Sequence, residues 1–146
     1  PEECRTDRGR IIRPKNAGSI MSDIFADHLL GSGLYAVVER RKVVRLMRDF
    51  EIDAGDLFAA DRISQMQKAL NIDGLVVGVV TEYGDWRGTF NWGGVVSFSA
   101  RLVQVDSGSL IWAASANRDM AMTNSTAIAH AASQDALEDL LTQLGK

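Results

Sequence analysis

The stretch "LVVGVVTEY", from Leu75 to Tyr83, limits the possible folds more than any other part of the chain. From Leu75 to Val80 apolar side chains occupy both alternating sets of positions, interrupted only by Gly78. A strand with that pattern has no face to give to water, so it must be covered on both sides or lie centrally in its sheet. The run is also far short of the ~20 apolar residues that a membrane-spanning helix needs.

The next thirty residues or so supply the rest of a sheet. In "VVSFSARLVQV", Val96, Phe98, Ala100 and Leu102 face one way and Ser97, Ser99 and Arg101 the other, the period of a strand with one buried face. "DSGS" at Asp106 to Ser109 reads as a tight turn, and "LIWAASA" as the next strand of an antiparallel hairpin, with Trp112 in the core. Between Tyr83 and Val95 the flanks are strands on both sides, so "EYGDWRGTFNWGG" reads as a hairpin connection in which Gly84, Gly88, Gly93 and Gly94 permit a tight or bulged turn.

Helical spacing governs most of the remainder. Asn16 is placed to cap a helix in which Ala17, Ile20, Met21, Ile24, Phe25 and Leu29 recur every three or four residues, and Gly31-Ser32-Gly33 ends it. Leu34 to Val38 predicts a short strand. "ERRKVVRLMRDF" predicts a second helix with Val43, Met47 and Phe50 inward and Arg41, Arg45 and Arg48 on the other face. A third runs from about Ala60 to Leu70 with Ile63, Met66 and Leu70 inward. A last helix, capped near Thr123 or Ser125, buries Ile128, Leu137, Leu140 and Leu144.

Strands gathered late in the chain predict a single mixed α/β (α+β) domain, with Leu75–Val80 central in a mixed sheet between the two following strands and helices packed upon it. Residues 1–15 form a polar N-terminal segment in which only Ile11 and Ile12 suit a strand, ended by Pro14; residues 16–146 form the domain. The length of 146 residues, 46% hydrophobic and 24% charged, fits one domain with a core of its own and argues against disorder.

Sixteen basic against nineteen acidic residues leave a net charge of -3, which gives no reason to expect nucleic acid as a partner. The single cysteine, Cys4, excludes a disulfide framework and any multi-cysteine zinc site, and it follows Pro-Glu-Glu rather than the small apolar residues that precede a lipid-attachment cysteine. The chain opens on Pro1 rather than Met, which fits a processed or trimmed product whose targeting segment lies ahead of it.

No catalytic site is expected, no metal site and no cofactor. Gly31-Ser32-Gly33 precedes a strand, whereas a dinucleotide-binding loop follows one, and neither a phosphate-loop lysine motif nor a Gly-x-Ser-x-Gly elbow occurs. His28 and His130 lie on separate helices, and a metal pair would require them to converge in space with carboxylates; each reads as a partly buried helix residue. Asp53, Asp56 and Asp61 lack the calcium-loop spacing and suit a loop leading into a helix N-terminus. The arginines of the second helix read as a solvated face, diluted by Glu39, Asp49 and Glu51. Turns rarely require Trp86, Phe90 and Trp92 together. With Arg87 they form the candidate contact for another subunit, a protein partner or a membrane surface, against the alternative that they pack on the protein's own sheet.

Three blocks in order resemble one family. "GSGLYAVVERRKVVRLMRDFEI", "ALNIDGLVVGVVTEY" and "VVSFSARLVQVDSGSLIWAASANRDM" are similar to successive segments of the CsgG/LpoB-like bacterial envelope lipoproteins, and together they span Ser19 to Met120. The resemblance implies a non-enzymatic periplasmic domain, anchored to the outer membrane by a lipid on a segment ahead of Pro1, that takes part in secretion, export or envelope assembly by binding protein partners and forms a homo-oligomer. It leaves open a regulator of a cell-wall synthase, and a small-ligand-binding domain is the further alternative. Pore formation is not implied, because pore-forming members insert long hairpins and the segment from Tyr83 to Val95 is too short to cross a bilayer.

Overall fold

The computed structural model describes residues 2–6, 9–53, 55–56 and 59–145, with side chains from Pro14 onward. Among the described residues are five strands and four helices: β1 (Glu2–Thr6), β2 (Gly9–Arg13), α1 (Ala17–Gly31), α2 (Arg40–Asp49), α3 (Ala60–Leu70), β3 (Gly74–Arg87), β4 (Trp92–Gln104), β5 (Leu110–Ala121) and α4 (Ser125–Gln143). The strands form one sheet in the order β1-β2-β3-β4-β5, and every pairing is antiparallel. The fold is a single mixed α/β domain with helices packed on its sheet.

One face of the sheet meets α1 and α4. Val96, Phe98 and Ala100 of β4, Tyr83 of β3 and Trp112 of β5 pack against Met21, Ile24 and Phe25 of α1 and Ile128, Ala132, Leu137 and Leu140 of α4. The alternation of β4 and the four-residue repeat of α4 therefore point at each other, and Leu144 is half-buried at the end of the same layer. Trp112, 2% exposed, places its ring 6.1 Å from that of Phe25 and donates its indole N–H to Asp139 Oδ2 at 3.0 Å. The pairing satisfies the one polar atom of a buried tryptophan.

On the second face, helices among the described residues pack at the Gly74 end. There Ile52, Met66 and Val77 pack together with Val43, Leu46 and Met47 of α2, and Ile63 of α3 packs on Val103 and Val105. Farther along, Val79, Ser99, Arg101, Ala113, Ser115 and Asn117 are exposed on this face.

Several expectations change. The sheet is antiparallel throughout rather than mixed. Leu75–Val80 does lie on the third of five strands, but β5 pairs with β4 and not with β3, and β2 reaches only residues 85–87, so along Leu75–Val80 the ladder runs to β4 alone. The apolar residues of that segment are covered by helices at both faces near Val77, and Val79 beyond α2 and α3 is 53% exposed. Leu34–Val38 belongs to no strand, because no sheet neighbour closes a ladder with it among the described residues. Phe50 is exposed, and Leu46 takes its place in the inward stripe of α2, because the helix ends at Asp49 and Phe50 departs from helical geometry. Glu2–Thr6 is a strand that polar composition concealed; its backbone pairs with β2 in a hairpin. Cys4 lies on this strand, its side chain outside what is described.

A bulge between Val80 and Glu82 has the largest consequence for the far end of the sheet. Val76 and Val80 join the α1/α4 core from even positions, yet beyond the bulge it is the odd position Tyr83 that does so, 4% exposed. One extra residue, Thr81, exchanges the faces of all later positions on β3.

Candidate functional site

Beyond the bulge β3 and β4 continue between β2 and β5, and their hairpin is closed by the four residues from Gly88 to Asn91, where Gly88 N–H donates to the Asn91 carbonyl at 2.8 Å. The aromatic stretch is the hairpin that its flanks predict. Its four candidate contact residues do not share one environment.

Trp86 points to the second face and is 7% exposed. It packs on Val95, and its indole N–H donates to Asp119 Oδ1 of β5 at 3.0 Å. The ring lies across Gly93, where an added Cβ would sit 2.6 Å from a ring carbon, so glycine is required for this packing. In the isolated chain Trp86 is thus a packing residue of its own sheet.

The other three are open. Arg87 is exposed, Phe90 at the tip is 99% exposed, and Trp92 is 46% exposed. Trp92 stands opposite Arg87 on the face that carries α4, and its carbonyl accepts from Met122 N–H at 2.8 Å. Met120 on β5 pairs with Gly94, which has no side chain, leaving Trp92 and Met120 as diagonal neighbours. Met120 is 47% and Met122 77% exposed. Neither methionine was marked by the sequence pattern, because both lie past the alternating part of β5; only the strand pairing shows that they extend the Phe90–Trp92 group.

This end of the sheet is held firmly to α4. Gly94 approaches the start of the helix so closely that an added Cβ would come to 2.5 Å from Ser125 N, and Asp85 Oδ1 accepts from Ser125 N–H at 2.7 Å. Asn124 accepts from Ala127 N–H at 2.8 Å. A carboxylate and an amide at the positive end of α4 answer two of its open donors. The arrangement is a rigid base with a small apolar surface of Phe90, Trp92, Met120 and Met122 beside one arginine. Such a group of exposed aromatic, methionine and arginine side chains is suited to contact with a second surface.

Elsewhere, Arg41, Arg45 and Arg48 are exposed on α2, while Arg40 is tied to α1 through Asp23 Oδ1 at 2.7 Å and Ser19 Oγ at 3.3 Å. Asp56 Oδ2 accepts from Asp53 N–H at 3.1 Å, a loop contact ahead of α3, and Asp61 lies in the first turn of that helix. His28 and His130, which sequence separates by 102 positions, meet across α1 and α4 with 3.3 Å between His130 Nδ1 and His28 Nε2. No helix among the described residues is long and apolar enough to cross a membrane.

Comparison with known proteins places these features in context. The family model described as "Curli production assembly/transport component CsgG" matches residues 13–129. A search of curated protein sequences gave no match. Among solved structures, a PelC dodecamer from Paraburkholderia phytofirmans superposes with a TM-score of 0.66 at 16% identity, covering 96% of this chain and 93% of that one. A point variant of the same dodecamer gives 0.64 at 19% identity, with 88% and 80% covered. Lipoprotein GNA1162 from Neisseria meningitidis gives 0.62 at 21% identity, with 90% of each chain covered. At these identities the superpositions speak to fold.

Proposed function

The chain belongs to the family of the curli production assembly/transport component CsgG, and on that premise we propose that it is a non-enzymatic accessory protein of the bacterial envelope, acting in export or assembly through protein–protein contacts and as a homo-oligomer. In this reading it works in the periplasm, held to the outer membrane by a lipid anchor on a segment ahead of this sequence. The family description supports an envelope role, and the likeness to a solved lipoprotein supports the anchor. The likeness to two dodecamers supports assembly of copies.

The observation that carries the contact reading is the exposed group Phe90, Trp92, Met120 and Met122 on an otherwise well-packed end of the sheet. Aromatic and methionine side chains with an arginine are the usual anchors of protein interfaces, and their exposed area favours burial against a second surface. Arg87, Phe90 and Trp92 form the contact in this proposal, and Trp86 supports them from below.

The test is the solution mass of the chain beside that of a Phe90→Ser, Trp92→Ser double variant. The unmodified chain is expected to run at several times the 15.9 kDa of one copy, and the double variant at a lower mass while melting close to the unmodified chain under dilution that dissociates it. A chain that stays at the mass of one copy at the highest concentration it reaches would refute the homo-oligomer. An assembly indifferent to the double substitution would refute this contact surface.

A further inference from the structure

Two histidines from helices far apart in sequence have been brought to face each other, and no part of the proposed function uses them. His28 lies in the last turn of α1 and His130 in the second turn of α4. Their rings stand 5.4 Å apart between centroids at 69°, with His130 Nδ1 and His28 Nε2 separated by 3.3 Å. We propose that His28 and His130 form a binding site for a divalent transition cation of the zinc, nickel or copper(II) class, bridging α1 to α4.

In the chain by itself the two rings hydrogen-bond to each other across this 3.3 Å, and the same separation suits a shared ion. Two metal–nitrogen bonds of about 2.0–2.1 Å at a tetrahedral angle hold their nitrogens about 3.3–3.4 Å apart. The two ring nitrogens therefore already stand at the edge length of a tetrahedral site. Imidazole is a preferred ligand of this class of ion, whereas calcium and magnesium take oxygen.

The net charge of the two helices favours a cation. α1 carries Asp23 and Asp27 and α4 carries Asp135, Glu138 and Asp139, with no lysine or arginine on either helix. Arg40 engages Asp23, and Arg118 engages Asp135, so two of these charges are already met from α2 and β5. Asp27, Glu138 and Asp139 make no ion pair among the described residues, and the helix dipole of α1 places partial negative charge beside His28. No third His, Cys, Asp or Glu completes a cluster among the described residues. With two protein ligands the ion would keep two positions for water or an external ligand, more open than a four-ligand structural site or a three-ligand catalytic one.

The experiment uses untagged, metal-stripped protein titrated with zinc and with nickel, reading stoichiometry and affinity by calorimetry and stability by thermal melting. His28→Gln and His130→Gln serve as comparisons. One ion per chain is expected, with affinity lowered at least tenfold by either substitution and a rise in Tm of several degrees that only the unmodified chain shows. Binding should weaken in acid, since protons compete for the same nitrogens. Melting of all three proteins in chelator should coincide, which separates loss of ligation from loss of folding. Absence of binding, or binding by either variant as tight as that of the unmodified chain, would overturn the proposal.

Discussion

Replacing Trp86 by serine tests whether this tryptophan belongs to the fold or to a contact. The side chain is 7% exposed, covers Val95 and Gly93, and donates to Asp119 at 3.0 Å. A tryptophan buries about 150–250 Å², which at about 25 cal/mol per Å² corresponds to about 4–6 kcal/mol. The unfolded chain is not fully extended, which lowers that figure, and truncations of large aromatic residues cost about 3–5 kcal/mol. The expected loss is therefore about 3–5 kcal/mol, a fall of roughly 10 °C in melting temperature for a chain of this size. Trp92→Ser, at a position 46% exposed, should cost about 1 kcal/mol or less. Urea and thermal unfolding should be followed at two concentrations, because assembly makes the midpoint concentration-dependent. Trp86→Phe, which keeps most of the apolar area and loses the indole N–H, isolates the bond to Asp119 at about 1 kcal/mol. Equal destabilisation by Trp86→Ser and Trp92→Ser, or a loss below about 1 kcal/mol for Trp86→Ser, would refute the burial argument.

Gly94→Ala should destabilise by at least about 2 kcal/mol, because the new methyl group meets backbone at the start of α4 and forces β4 and α4 apart; a native-like urea midpoint would show that this junction yields easily. Ser133→Ala should be neutral or stabilising by up to about 1 kcal/mol, since Ser133 is 0% exposed and its hydroxyl has no partner among the described residues; a clear loss of stability would mean that the hydroxyl is satisfied after all.

Helical and strand periods were legible in the chain itself. The four-residue repeat of α4 and the alternation of β4 name the faces that meet in the core, and Trp112 is buried where an apolar strand places it. These are local properties, since a residue three or four positions along a helix shares its face whatever the rest of the chain does. The hairpin at the aromatic stretch was legible for the same reason, from two strands and the glycines between them.

Other features depend on contacts between elements and have no local signature. Whether Trp86 is core or surface turns on the bulge at Thr81, because a single extra residue exchanges the faces of β3, and a bulge is set by the pairing partner rather than by local propensity. The grouping of Met120 and Met122 with Trp92 comes from the register of β4 against β5, and the meeting of His28 with His130 from the packing of α1 on α4 across 102 positions. Residue order thus settles most of the elements and which of their faces are apolar. Which face each residue past the bulge takes, and which distant side chains become neighbours, follows only from hydrogen bonding and packing between elements.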